Sequence, residues 1–176
     1  MKKVLIIGGT GTISTPITKF LSEDSDVDLY VLNRGSRKDE LPEKVHRLTA
    51  DIRKDSEQIK EMIKDLYFDS IINFLVMDKN DAKMNIDLFK GKTNQFIFIS
   101  TVVALDHSVS CNVDEKLPYG NRYSIYGRNK EECEKAGIPA GPGFRDQPGN
   151  RCIRQGNVLP DPQDPPLHGR ALPGSI

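Results

Sequence analysis

Two groups of residues in this 176-residue chain have the types and spacing for chemistry, and they stand near opposite ends of its first 135 residues. The first is Gly8-Gly9-Thr10-Gly11-Thr12-Ile13-Ser14, directly after the apolar run Val4-Leu5-Ile6-Ile7. A buried strand that stops at a glycine turn and restarts as a helix aims backbone N–H groups and the positive helix end at one spot, which suits a pyrophosphate. Gly8, Thr10, Gly11, Thr12 and Ile13 are the binding candidates. The segment reads as Gly9-x-Gly11-x-x-Ser14 or as Gly8-x-x-Gly11-x-x-Ser14, and in both a serine stands where the dinucleotide fingerprint has its last glycine. An ordinary strand-to-helix turn is the alternative reading of the same residues. The second group is Tyr126-Gly127-Arg128-Asn129-Lys130, which puts a phenol and an ammonium one helical turn apart on one face. The ammonium favours phenolate, so the pair predicts a tyrosine pKa below its usual value of about 10, fit to exchange protons with a substrate hydroxyl or carbonyl. Thr101 lies 25 residues before Tyr126, after Ser100 at the end of another apolar run. A hydroxyl there, at the carboxyl end of a strand, can hydrogen-bond the reacting oxygen.

Between the two groups, the run Asp28–Leu32 ends in Asn33-Arg34-Gly35-Ser36-Arg37. This is about twenty residues past the glycine turn, where an NAD site offers a carboxylate to the ribose 2′-OH. Here an amide and two guanidinium groups stand instead. Arg34 and Arg37 suit a 2′-phosphate, whose oxygens match their planar fork, so NADP is favoured over NAD as the cofactor. Solvated loop arginines are the plain alternative.

The elements that must position these residues follow from hydrophobic periodicity. Apolar runs at Val4–Ile7, Leu29–Leu32, Ile71–Val76 and Phe96–Ile99 predict strands, with a weaker one at Val45–Thr49. Helical periodicity lies between most of them. Ile13, Ile17, Phe20 and Leu21 predict one buried face, and Ile59, Met62, Ile63 and Leu66 another, capped by Asp55 or Ser56. A third helix is predicted from about Asp78 to Lys90, ended by Gly91, and a fourth over Tyr123–Lys135. Alternating strands and helices predict a doubly wound parallel α/β sheet over residues 1–135, its ligand crevice beyond the carboxyl ends of the strands.

At about Ala136 the composition changes. Residues 136–176 hold seven Gly, eight Pro, four Arg and no Lys, whereas residues 1–135 hold fifteen Lys and six Arg. Large apolar residues fall from 48 of 135 to 8 of 41, too few to offset the entropy of ordering a chain, so the tail is predicted to be largely irregular with few contacts to the body. The abrupt change also raises the expectation of a shifted reading frame or a mis-joined gene. Twenty-five basic residues balance twenty-five acidic ones, so no overall field draws the chain to nucleic acid or anionic membrane. Cys111, Cys133 and Cys152 form neither a disulfide framework nor a metal motif, and no metal site is predicted. The opening apolar run is too short for a signal peptide, and no stretch approaches a membrane span, so a cytoplasmic protein is expected.

Taken together, the residues resemble the short-chain dehydrogenase/reductase superfamily, and within it the extended branch of nucleotide-sugar epimerases, dehydratases and reductases. The matching positions are Gly8, Gly11 and Ser14; Ala50-Asp51-Ile52; Phe96-Ile97-Phe98-Ile99-Ser100-Thr101; and Tyr126 with Lys130. The resemblance covers residues 1 to about 135 and implies a Rossmann-like fold, with the family's carboxyl-terminal substrate domain unmatched after Ala136. It implies that Tyr126 is the catalytic acid/base, that Lys130 lowers its pKa and holds the nicotinamide ribose, and that Thr101 positions the substrate oxygen. It further implies that Asp51 meets the adenine amino group, that Ile52 packs on the ring, and that Asn73 and Phe74 line the cofactor. As plain structural residues, Asp51 would be a helix cap, Asn73 a turn residue and Thr101 a strand-end hydroxyl. Leu105 stands where many members of the branch carry a tyrosine.

The expected function is therefore an NAD(P)-dependent oxidoreductase or epimerase acting on a nucleotide-sugar-like or other secondary alcohol or ketone. The alternative is an NAD(P)-binding protein without catalysis: truncated, regulatory or an RNA-binding atypical member. The resemblance also implies a homodimer formed through the helices near Asp78–Lys90 and Tyr123–Lys135.

Overall fold

The structure, a computed structural model, describes residues 1–36, 41–109 and 117–135, together with the backbone of two short strands at 151–154 and 157–158. Its elements are β1 (Lys2–Ile7), α1 (Ser14–Glu23), β2 (Val27–Asn33), β3 (His46–Thr49), α2 (Ser56–Met62), β4 (Phe68–Asn73), α3 (Lys79–Phe89), β5 (Thr93–Ile99), α4 (Ile125–Lys135), β6 (Arg151–Arg154) and β7 (Asn157–Val158). A single 3₁₀ turn, Val102–Ala104, follows β5.

The strands form one sheet in the order β3-β2-β1-β4-β5-β6-β7. β3 through β5 pair in parallel, with Ile7 level with Leu32 on one side and Asn73 on the other. The chain therefore winds outward in one direction from β1 to β3 and in the other from β4 onward. The crevice of such a sheet opens where the winding reverses, between β1 and β4, and the glycine turn sits there.

The central strands are apolar on both faces because both faces are covered. Leu5 and Ile7 enter a core with Ile59 of α2, Ile63 just after it, Phe89 of α3 and Cys133 of α4. Val4 and Ile6 point the other way, to Leu29, Val31 and the flank of α1. The two-residue period of the strand assigns each side chain to its face.

α1 departs from the predicted face. Ile17 and Leu21 pack against the core, but Phe20 is 73% exposed and Ile13 is 47% exposed. The buried residues are Ser14, Thr18 and Ser22. The helix approaches the glycine turn so closely that only small side chains fit: a methyl group on Gly9 would lie 3.0 Å from Thr18 Oγ1 and 2.9 Å from Val31. Their hydroxyls remain satisfied there by bonding carbonyls.

Within the stretch predicted to be irregular, β6 pairs in parallel with β5, Ile97 level with Arg151, and β7 returns antiparallel to it. An unpaired strand edge is a ready template for a sixth parallel strand, and the short run around Cys152 and Ile153 meets it despite the surrounding Gly and Pro.

Candidate functional site

The glycine turn leaves β1 through Gly8, whose φ of +82° suits glycine and whose N–H donates to Leu32 O at 3.0 Å. A methyl group there would strike Leu75 Cγ at 2.8 Å. The carbonyls of the turn face inward, toward hydroxyls of α1. Ser14 Oγ donates to Gly8 O (2.6 Å), Thr18 Oγ1 to Gly9 O (2.8 Å) and Thr15 Oγ1 to Gly11 O (2.7 Å). Gly11 N–H donates back to Ser14 Oγ at 2.8 Å. By contrast, the N–H groups of Thr12 and Ile13 have no hydrogen-bond partner among the described residues, and no acidic side chain occupies the first turn of α1. Unpaired amides at a positive helix end are what an anion requires.

Two open clefts meet at this turn and share Gly8, Gly11 and Leu75. The first reaches past Thr10 to Asn33, Arg34, Asp51 and Ile52. Asn33 Oδ1 accepts the Gly35 N–H at 3.0 Å, and Arg34 is exposed on the wall. Arg37 lies outside the described residues. Asp51 acts locally as well as lining the cleft: Oδ1 accepts the Arg53 N–H at 3.0 Å, and its own N–H donates to Asp55 Oδ2 at 2.7 Å.

Arg53, which sequence reasoning missed, also lines this cleft. Its guanidinium grips Asp81 with two bonds, Nε to Oδ1 at 2.9 Å and Nη2 to Oδ2 at 2.8 Å, and Nη2 reaches Leu75 O at 3.2 Å. The Arg53 hydrogen bonds, helped by the Met77 N–H, hold the Asp81 carboxyl below the usual carboxylate range against the opposing pull of burial. No periodicity links position 53 to position 81.

The second cleft runs past Thr12, Ile13 and Phe74 to Ser100, Tyr126 and Lys130. Asn73 lines neither cleft. It is fully buried, donates to Asn85 Oδ1 and accepts the Leu75 N–H, both at 2.7 Å, so it is the turn residue that holds Leu75 at the junction.

Lys130 is 2% exposed, and its Nζ donates to Val76 O (2.6 Å) and Ile99 O (2.7 Å). It stands 4.6 Å from the Phe98 ring centroid and 5.6 Å from that of Tyr126. This corrects the expectation of a lowered Tyr126 pKa. Burial raises it, because partial desolvation disfavours phenolate while the ammonium faces the ring and is committed to carbonyls. The neighbouring Gly127 allows α4 to press on the 3₁₀ turn, since a methyl group there would meet Val103 O at 2.3 Å.

Thr101 is buried at the start of that turn, where its Oγ1 accepts the Val103 N–H at 3.3 Å; the strand-end hydroxyl on the cleft wall is that of Ser100. Ser100 Oγ donates to Glu134 Oε1 at 2.5 Å, and Tyr119 OH donates to Glu134 Oε2 at 2.8 Å. Glu134 was also missed, although it lies one helical turn beyond Lys130 and so shares its face.

No family model matches the chain, and no curated protein matches it in sequence. Solved structures do. The UDP-Glc/GlcNAc 4-epimerase from Campylobacter jejuni superposes with a TM-score of 0.70 at 21% identity, over 88% of this chain and 53% of that one. The fold is that of the nucleotide-sugar epimerases and dehydratases. The UDP-glucuronic acid 4-epimerase from Bacillus cereus, solved with NAD, gives 0.65 at 17% identity over 86% of this chain and 55% of that one. The dTDP-glucose 4,6-dehydratase from Bacillus anthracis, also solved with NAD, gives 0.61 at 15% over 77% and 49%. The chain thus spans about half the length of the epimerase and dehydratase structures it matches. Among its described residues no helix is long and apolar enough to cross a membrane.

Proposed function

We propose that this chain is the dinucleotide-binding part of an NAD(P)-dependent oxidoreductase of the epimerase and dehydratase kind, acting on a secondary alcohol or ketone of a nucleotide-sugar-like substrate. The observation that carries the reading is the continuity of the two clefts through Gly8, Gly11 and Leu75, with Asn33, Arg34 and Asp51 at one end and Tyr126 and Lys130 at the other. A dinucleotide fits that arrangement: side-chain-free residues and unpaired amides in the middle for the diphosphate, Asp51 and Ile52 for adenine, and an aromatic hydroxyl beside the far end. When bound, the nicotinamide supplies a hydride acceptor or donor.

The chain's own residues handle the proton. Tyr126 exchanges it with the substrate hydroxyl or carbonyl, and its raised pKa keeps the phenol protonated at neutral pH until a ligand changes its surroundings. Lys130 holds the carbonyls of Val76 and Ile99 in register beneath it and, by resemblance, the nicotinamide ribose. A strand-end hydroxyl orients the substrate oxygen. Thr101 has that role by resemblance, and Ser100 competes for it by lining the cleft.

NADP is favoured over NAD as the cofactor, with NAD the alternative: Arg34 is on the cleft wall, Asn33 replaces the carboxylate, and its amide oxygen is occupied by Gly35. Two chains pair through α3 and α4, which sedimentation would reveal. Titration with NADPH and NADH tests cofactor binding, and Arg34→Ala should erase a preference of about tenfold for NADPH. With a UDP-sugar as substrate, Tyr126→Phe should cut turnover by about a hundredfold or more. Full rate in that variant would defeat the catalytic assignment. Cofactor binding with no turnover would favour a second reading, a binding or regulatory protein.

A further inference from the structure

We propose that Ser14 is a positioning residue for the diphosphate: its hydroxyl clasps Gly8 O and Gly11 N–H together and so fixes the glycine turn, holding the amides that follow it, of Thr12 and Ile13, toward the ligand. The inference rests on the cofactor reading above, and it concerns the one position where this turn departs from the dinucleotide fingerprint.

Glycine peptides rotate easily, having no Cβ to restrict them, so a glycine turn by itself does not fix which way its carbonyls point. The direction matters because the two ends of a trans peptide oppose each other: a carbonyl held inward turns the next residue's N–H outward. Ser14 is 1% exposed, and its Oγ takes two peptides at once, donating to Gly8 O at 2.6 Å and accepting from Gly11 N–H at 2.8 Å. Thr15 holds the following peptide through Gly11 O, by Oγ1 at 2.7 Å and N–H at 2.9 Å, which turns the Thr12 N–H outward. Thr18, fully buried, holds Gly9 O. Three hydroxyls of one helix thus fix three carbonyls of the turn, those of Gly8, Gly9 and Gly11. With glycine at position 14 the backbone could approach closely, but nothing would bond Gly8 O and Gly11 N–H together. A methyl group on Gly11 would lie 3.3 Å from Ser14 Oγ, so the two positions fit each other.

The test compares ligands that differ only in phosphate, together with an exchange measurement that needs no ligand. Ser14→Ala should weaken NADH and ADP binding by about tenfold and leave adenosine binding unchanged. In the ligand-free wild type, the Gly11 amide should exchange with solvent at least about tenfold more slowly than the Thr12 amide. If Ser14→Ala does not fold, Ser14→Gly removes the same hydroxyl and should give the same ligand pattern. Equal NADH and ADP affinities in wild type and variant, or an equal loss for adenosine, would overturn the proposal while leaving the cofactor reading standing. So would a Gly11 amide that exchanges as fast as that of Thr12. A wild-type chain that binds none of NADPH, NADH and ADP would overturn the cofactor reading, and this inference with it.

Discussion

The two ends of the joined clefts are built in opposite ways. The glycine turn is assembled from residues 8 to 18, and its internal bonds run between neighbours in sequence. The Tyr126 end is assembled from the loop after β4, the end of β5 and α4, and its principal tie, Lys130 Nζ to Val76 O, spans 54 residues. Local bonds make a site that forms once strand and helix are in place. Distant bonds make a site that exists only while three elements stay packed, so its chemistry is coupled to stability.

Lys130→Met breaks the distant end hardest. It leaves two carbonyls without their shared donor and should cost about 3 kcal/mol of stability, read by urea denaturation. Gly127→Ala should cost about 2 kcal/mol, because α4 must move away from Val103 O. It also sharpens the contrast: NADH binding should weaken while ADP binding, which needs only the local end, should not.

Arg53→Ala tests the wall between the ends and should cost about 1 kcal/mol, since the guanidinium is half exposed. The sign of its pH dependence follows from Asp81. That carboxyl is held below its ordinary value of about 4, so its contribution is present above that pH and is lost as acidity moves down through the folded value. Acid unfolding followed from pH 6 to pH 2 should therefore show a shallower loss in Arg53→Ala than in wild type. The smallest effect belongs to Phe20→Ser. At 73% exposure it should change stability by no more than about 0.5 kcal/mol, whereas a core phenylalanine would cost several times that.

Phe20 also marks a limit of reading the sequence. Its spacing with Ile13, Ile17 and Leu21 is that of a buried stripe, yet the helix turns Ser14, Thr18 and Ser22 inward, because proximity to the glycine turn outweighs hydrophobicity. Gly8, Gly11, Asp51, Ile52, Tyr126 and Lys130 were legible and do line the joined clefts. Asn73 and Thr101 were legible as polar residues at strand ends, but their side chains serve the backbone around them. Arg53 and Glu134 were not legible as site residues, since their partners, Asp81 and Ser100, lie 28 and 34 residues away.

The sequence by itself determined the order of strands and helices up to Lys135, their parallel winding and the position of the glycine turn, because each follows from short-range periodicity and turn chemistry. Tertiary structure alone decided which way the side chains of α1 face and where the Lys130 charge rests. It also decided the sense of the Tyr126 shift, which reversed the prediction. A pKa depends on which atoms surround the group and how much water they exclude, and a spacing of four along a helix specifies neither.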